Sequence, residues 1–257
     1  DVTFLNSLRV STSVFLFFLY LNKKKPDLVI STVTHANFVC LLLRPFFPSA
    51  KFIAREAIVP SFFFNKYKLF SLPLKWTFKI LYPLANCLIS PSNEILEEFK
   101  NDLGMSCRNA QLLYNPVDTE KISRLRQESS PLGSLPSGVM KFVCAGRLEH
   151  QKGFDRMINI LATANLPYDW TLTILGEGVK QAELDSLIRL YKLENKVRII
   201  GFHLNPYPYY AGADYFLMTP HYEGMPNVAL EALACGTPVI SIEHPGGIFD
   251  IARKAGP

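Results

Sequence analysis

A chain of 257 residues has room for two domains of about 100 to 150 residues each, which excludes a peptide or a disulfide miniprotein. Hydrophobic residues make up 49% and charged residues 19%, with 19 Phe and 11 Tyr, so apolar surface suffices to offset the ordering entropy and disorder is excluded. The net charge of +5 is unevenly spread: residues 1–90 carry 11 Lys and Arg against 3 Asp and Glu, a net +8, and residues 91–257 a net −3.

The chain opens on Asp1, with no apolar core and small-residue cleavage site behind it. No secretory signal is legible, and the start reads as an interior point of a longer protein. The longest apolar run, Val14 to Leu21, has eight residues against about 20 for a bilayer span. Helices are expected near Ser7–Asn22, Asn37–Phe46, Leu72–Tyr82 and Ser92–Asn101, alternating with strands at Asp27–Ser31, Lys51–Arg55 and Asn86–Ser90. That alternation is the pattern of a parallel sheet wound with helices.

Between Ala57 and Asn93 there is no acid, and Phe62, Phe63, Phe64, Lys66, Tyr67, Lys68, Phe70, Lys75, Trp76, Phe78 and Lys79 interleave cations with large apolar groups. Three readings stand: a core helix with solvated lysines, an anionic membrane surface, or a nucleic-acid groove. The acidic second half argues against a general polyanion binder, so nucleic acid is not expected as a partner.

Residues 119–138 are polar and broken by Pro and Gly, an expected exposed connection between a domain over 1–118 and a second over 139–257. Five further strands are expected at Lys141–Ala145, Thr171–Leu175, Val197–Phe202, Asp214–Met218 and Pro238–Ile242. Met157, Ile160, Leu161 and Ala164, and then Leu184, Leu187, Ile188 and Tyr191, recur at helical spacing as core stripes. Cys40, Cys87, Cys107, Cys144 and Cys235 form no CxxC pair, which suggests a reducing compartment and no zinc site. His150, His203, His221 and His244 show no metal-ligand spacing.

Two segments carry chemistry. Gly146-Arg147 and Lys152-Gly153 bracket a short loop between a strand and a helix expected near Asp155. Close backbone approach, two cations and a helix N-terminus together suit a diphosphate; solvated cations in an ordinary βα loop are the alternative. In Glu223-Gly224-Met225-Pro226-Asn227-Val228, Asn227 is the expected N-cap of a helix that Gly236 ends. Glu231 lies one turn along it, either gripping ribose hydroxyls or merely solvated. Glu223 and Glu231 would stand about 12 Å apart at 1.5 Å per residue, wider than the roughly 5 to 9.5 Å of a glycosidase pair. Gly176 and Gly178 form a lone GxG, a tight turn or a turn kept small under a nucleotide. His35 follows the first strand and is either structural or a donor to sugar or phosphate.

In order and spacing, Gly146-Arg147, Lys152-Gly153, Gly176-Glu177-Gly178, Glu223 to Asn227 and Glu231 to Ile240 resemble the retaining glycosyltransferases of family 4. Asn115-Pro116-Val117-Asp118, His35 and the segment His244 to Ile251 fit the same pattern. The resemblance implies an α/β GT-B fold, two Rossmann-like domains facing across a cleft, here with the N-terminal domain incomplete and the C-terminal one cut short. It implies a metal-independent hexosyltransferase that needs no cofactor, taking a nucleotide-sugar donor, with a UDP-sugar favoured, to a glycan or lipid-linked acceptor. Carried over by motif, Arg147 and Lys152 would neutralise the diphosphate, Glu231 bind ribose, Glu223 with Gly224 to Val228 position the sugar, and His35 face it from the other domain. Bacterial envelope polysaccharide synthesis is the expected setting, in the cytoplasm and peripheral to the inner face of the plasma membrane. The rival expectations are a noncatalytic nucleotide-sugar-binding fragment and a related epimerase or phosphorylase. As a central piece, the chain is expected to turn over slowly or not at all.

Overall fold

The computed structural model describes residues 10–105, 109–134 and 138–255. Cys107, the first residues of the helix expected from Ser7, and residues 135–137 of the expected connection lie outside them. The chain divides into two compact units, Asp1–Tyr114 and Asn115–Pro257. Among the described residues no helix is long and apolar enough to cross a membrane.

The first unit runs α1 (Val10–Lys24), β1 (Leu28–Thr32), α2 (Thr34–Leu43), β2 (Lys51–Arg55), α3 (Pro60–Lys66), α4 (Ser71–Leu81), β3 (Cys87–Ser90), α5 (Asn93–Asn101) and β4 (Ala110–Leu112). Its sheet is parallel, in the order β1-β2-β3-β4. Ser92 caps α5 by accepting from the Ile95 amide, as a Pro-Ser start leads one to expect. Phe78 is fully buried, stacks on Tyr82 at 5.1 Å and meets Phe64 and Phe99. The basic segment therefore supplies core, but only from one side.

The second unit contains α6 (Thr119–Leu125), β5 (Met140–Ala145), α7 (Phe154–Thr163), β6 (Trp170–Leu175), α8 (Gln181–Leu190), β7 (Val197–Ile199), α9 (Tyr207–Ala211), β8 (Tyr215–Met218), α10 (Asn227–Ala234), β9 (Val239–Ser241) and α11 (Ile248–Ala255). All five strands are parallel, in the order β7-β6-β5-β8-β9. The order reverses at β5, and in open sheets of this kind ligands bind beyond the strand C-termini at the reversal. Phe142, Leu172, Ile174, Phe154, Met157 and Leu184 are at the centre of its core.

Three expectations are corrected. The segment 119–138 is no plain connection: its first part is α6, capped by Asp118 onto the Lys121 amide with Ile122 buried. The stripe of α7 sits one turn earlier than read, with Phe154, Met157, Ile158 and Leu161 buried and Ile160 exposed, because the helix starts at Phe154. The strand from Val197 ends at Ile199, which frees Phe202 and His203 for the loop beyond it.

Candidate active site

The Gly146–Gly153 loop leaves β5 and is pinned from below. Leu148 is fully buried, its amide donates to the Glu177 carbonyl at 2.9 Å, and its carbonyl accepts from the Lys180 amide at 2.9 Å. Gly153 sits at φ +61°, and a Cβ there would stand 2.0 Å from the Thr219 carbonyl oxygen, so the residue that launches α7 must be glycine. Gly176 is held by contact as well: its missing Cβ would fall 1.9 Å from the Gly146 carbonyl oxygen.

Beside this loop lies a hollow of about 300 Å³ at the C-terminal ends of β5, β6 and β7. Gly146, Arg147, Gly176 and Val228 line it as the sequence suggests, joined by Glu177, Phe202, His203 and Tyr210. The Arg147 side chain is 67% exposed and bonds only Glu149, at 3.1 Å, and Gln151. Such a surface pair is weakly held, leaving the guanidinium free to turn to an anion. Glu231 is not in the wall itself. It shares a helix face with Val228, three residues before it, and its charge reaches Tyr210 in the wall. Burial pushes its carboxyl above the usual range, partly countered by Lys121.

Lys152 and Glu223 are brought together. Nζ lies 2.5 Å from Oε1, with the side chains 17% and 8% exposed. Gln151 donates to Glu223 Oε2 at 3.4 Å and to the Tyr222 carbonyl at 3.3 Å. The stem of Lys152 passes within about 3 Å of where a Gly146 Cβ would be. The Glu223 amide donates to the Pro245 carbonyl at 2.9 Å and the Gly247 amide to the Gly224 carbonyl at 2.6 Å. Met225 and Pro226 are buried beside this contact, and Gly178 packs on the Leu148 backbone.

Asn227 is not the cap of α10. Pro226 occupies that position, and the Asn227 Oδ1 accepts from Asn115 Nδ2 at 2.6 Å. Gly236 does end the helix, at φ +83°. His244 was missed as a site residue: it is buried, its Nδ1 lies 3.1 Å from the Pro245 carbonyl, and Nε2 has no hydrogen-bond partner. Burial holds its pKa below the usual histidine value, and Glu223 and Lys152 are close enough to act on it.

In the first unit, His35 is exposed at the start of α2, its ring 6.0 Å from that of Phe63. The turn before it places Val33 at φ +66°, an unusual conformation for a β-branched residue. What holds it is a buried network around Glu56. Thr34 Oγ1 donates to Glu56 Oε1 at 2.9 Å, Tyr82 donates its hydroxyl to Oε2, and Asn37 donates to Oε2 at 3.4 Å. Asn37 also accepts from Ser31 at 2.7 Å. Glu56 is the lone acid between Asp27 and Glu94, the one signal that could have found it.

Comparison with known proteins gives the family and the fold. Residues 126–256 match the family model for glycosyl transferases group 1. A relative from Campylobacter jejuni, N-acetylgalactosamine-N,N'-diacetylbacillosaminyl-diphospho-undecaprenol 4-alpha-N-acetylgalactosaminyltransferase, is 34% identical over 84% of this chain and 57% of its own length. An uncharacterised glycosyltransferase of Methanocaldococcus jannaschii is 28% identical over 88% of this chain and 58% of its own. The chain thus spans under three-fifths of either relative. Among solved structures, sucrose-phosphate synthase from Thermosynechococcus elongatus superposes with a TM-score of 0.77 at 21% identity, covering 92% of this chain and 61% of that one. Anabaena HepE in complex with UDP-glucose gives 0.72 at 22%, covering 95% and 65%. The two Rossmann-like parallel sheets are those of a GT-B fold, and with the family match over residues 126–256 the chain belongs to the glycosyl transferases group 1.

Proposed function

We propose that this chain is part of a retaining, metal-independent hexosyltransferase that moves a sugar from a nucleotide-sugar, a UDP-sugar by preference, to a lipid-linked glycan. The setting is bacterial envelope polysaccharide synthesis at the inner face of the plasma membrane. One observation carries the reading: Arg147, two glycines without side chains and the first turn of α10 meet around one hollow at the reversal of the second sheet. The bound UDP-glucose of Anabaena HepE and the undecaprenol-linked substrate named for the Campylobacter jejuni enzyme support the choice of donor and acceptor.

Departure of the nucleoside diphosphate builds negative charge on the β-phosphate. Arg147, swinging from its weak pair with Glu149, and the positive end of α7 would stabilise that charge more than the ground state. Phe202 and Pro206 offer an apolar wall for a base. Glu231 is the acceptor for ribose hydroxyls, and Glu223 holds Lys152 beneath Gly146 and positions the sugar. The bond from the anomeric carbon to the β-phosphate oxygen breaks, the acceptor oxygen bonds that carbon from the same face, and the departing diphosphate takes the acceptor hydroxyl's proton.

The test is binding of UDP, GDP and ADP to the chain, read as a rise in melting temperature. UDP is expected to stabilise it most. Arg147→Ala should weaken UDP about 10- to 100-fold, the worth of a charged hydrogen bond. Unchanged affinity in that variant would refute the assignment of Arg147 to the diphosphate.

A further inference from the structure

The first unit holds a hollow of about 270 Å³, walled by Phe38, Phe63, Phe70 and Leu74, with Thr34 and His35 bringing polar groups. Tyr67 and Phe70 belong to both this wall and the protein surface. From Phe70 the apolar surface continues outward: Leu69 is 90% exposed, and Leu72, Trp76 and Ile80 are each about 60% exposed or more. Those last three recur every fourth residue, a stripe along the solvent side of α4, while Phe78 and Leu81 bury the other side. Lys66, Lys68, Lys75 and Lys79 lie in the same segment, which has no acid between Ala57 and Asn93, and Lys66, Lys68 and Lys79 are exposed.

So large an apolar face implies a partner. A second copy packed by two-fold symmetry would set these lysines against each other. A bilayer with anionic headgroups takes both components at once, the apolar stripe entering the acyl boundary and the ammonium groups meeting phosphates.

We propose that the hollow binds the hydrocarbon chain of a lipid with an anionic phosphate head, taken from an anionic bilayer on which the α3–α4 surface rests. This deepens the reading of the chain as a transferase to lipid-linked acceptors and rests on it. The aromatic and leucine walls exclude water from the hydrocarbon, and the exposed His35 offers a hydrogen bond to the head. The Glu56 network, which takes the Thr34 hydroxyl proton, fixes the turn that carries His35.

The test uses the 257-residue chain, with farnesyl phosphate below its aggregation limit as the probe and inorganic phosphate as control. Vesicles of phosphatidylglycerol with phosphatidylcholine are compared with phosphatidylcholine alone. Expected are saturable one-to-one binding of farnesyl phosphate, none of inorganic phosphate at the same concentration, and at least tenfold stronger binding to the anionic vesicles. Leu74→Trp, which fills the hollow, should weaken farnesyl phosphate at least tenfold and leave vesicle binding intact. Leu72→Glu with Trp76→Glu should abolish vesicle binding. Thr77→Phe, on the same wall, replaces Leu74→Trp if that variant melts early. Equal farnesyl phosphate binding by the filled and unfilled hollows, or equal binding to both vesicles, overturns the proposal. UDP binding is measured on the same samples: its loss alone counts against the donor reading, and its survival without lipid binding counts against this one.

Discussion

Lys152 and Glu223 exclude most water from a charge pair that either partner alone would leave uncompensated. Removing one member of such a pair costs about 3 to 5 kcal/mol, whereas replacing both with apolar groups of similar volume is often near neutral. Lys152→Met and Glu223→Leu are therefore each expected to destabilise the second unit by about that amount, and the double variant by much less than their sum. Urea unfolding followed by Trp170, in a Trp76→Phe background, measures the cycle; additive losses would mean that the two charges are not coupled. The sequence marked both residues for chemistry, from cations and glycines around a βα loop, but could not show that they pair across 71 positions. Gln151 and His244 were passed over for the same reason. Their roles lie in what they touch, the Glu223 carboxylate and the Pro245 carbonyl, and no spacing along the chain encodes that.

At the scale of elements, α10 has eight residues, too short to persist on propensity alone. It is held at one end by Asn115 on Asn227 and at the other by Arg126, whose Nη1 donates to the Cys235 carbonyl at 2.6 Å. A cation at a helix C-terminus satisfies a free carbonyl and opposes the negative end of the dipole. Arg126→Ala is expected to destabilise the helix by about 1 to 2 kcal/mol, seen as roughly tenfold faster amide exchange over residues 229–236. Unchanged exchange there would show that packing alone retains α10. Arg126 comes from the segment read as an exposed connection and Asn115 from just before it, and neither contact was legible, since clips reaching over a hundred positions leave no local period. Strands β1, β2, β3, β5, β6, β7, β8 and β9 were legible because each sits in a short run rich in β-branched and apolar residues, bounded by turn residues and alternating with helical periods. β4 was not, for Ala110–Leu112 has a glutamine at its centre and no β-branched residue, and its identity as a strand rests on pairing with β3.

Across the whole molecule, the charge imbalance legible in the sequence has a counterpart in how each unit responds to pH. In the first unit, burial raises the carboxyls of Glu56 and Glu98 above the ordinary range, against hydrogen bonds that lower them. Folded, these groups keep protons that the unfolded chain releases above about pH 4.3. Their contribution is thus full at low pH and declines as pH rises through the folded values. In the second unit, burial first, with neighbouring cations, lowers His221 and His244. The unfolded chain takes up protons below about pH 6.5 that the folded one resists, so their contribution is present above that pH and lost as pH falls. Glu231, also raised by burial, opposes them as one half-exposed carboxyl against two histidines. Going from pH 7 to pH 5, exchange protection corrected for the intrinsic rate should fall in the second unit and hold or rise in the first. His244→Phe should flatten the slope of the second unit and Glu56→Gln that of the first, and slopes of the same sign in both units would contradict the assignment of these four groups.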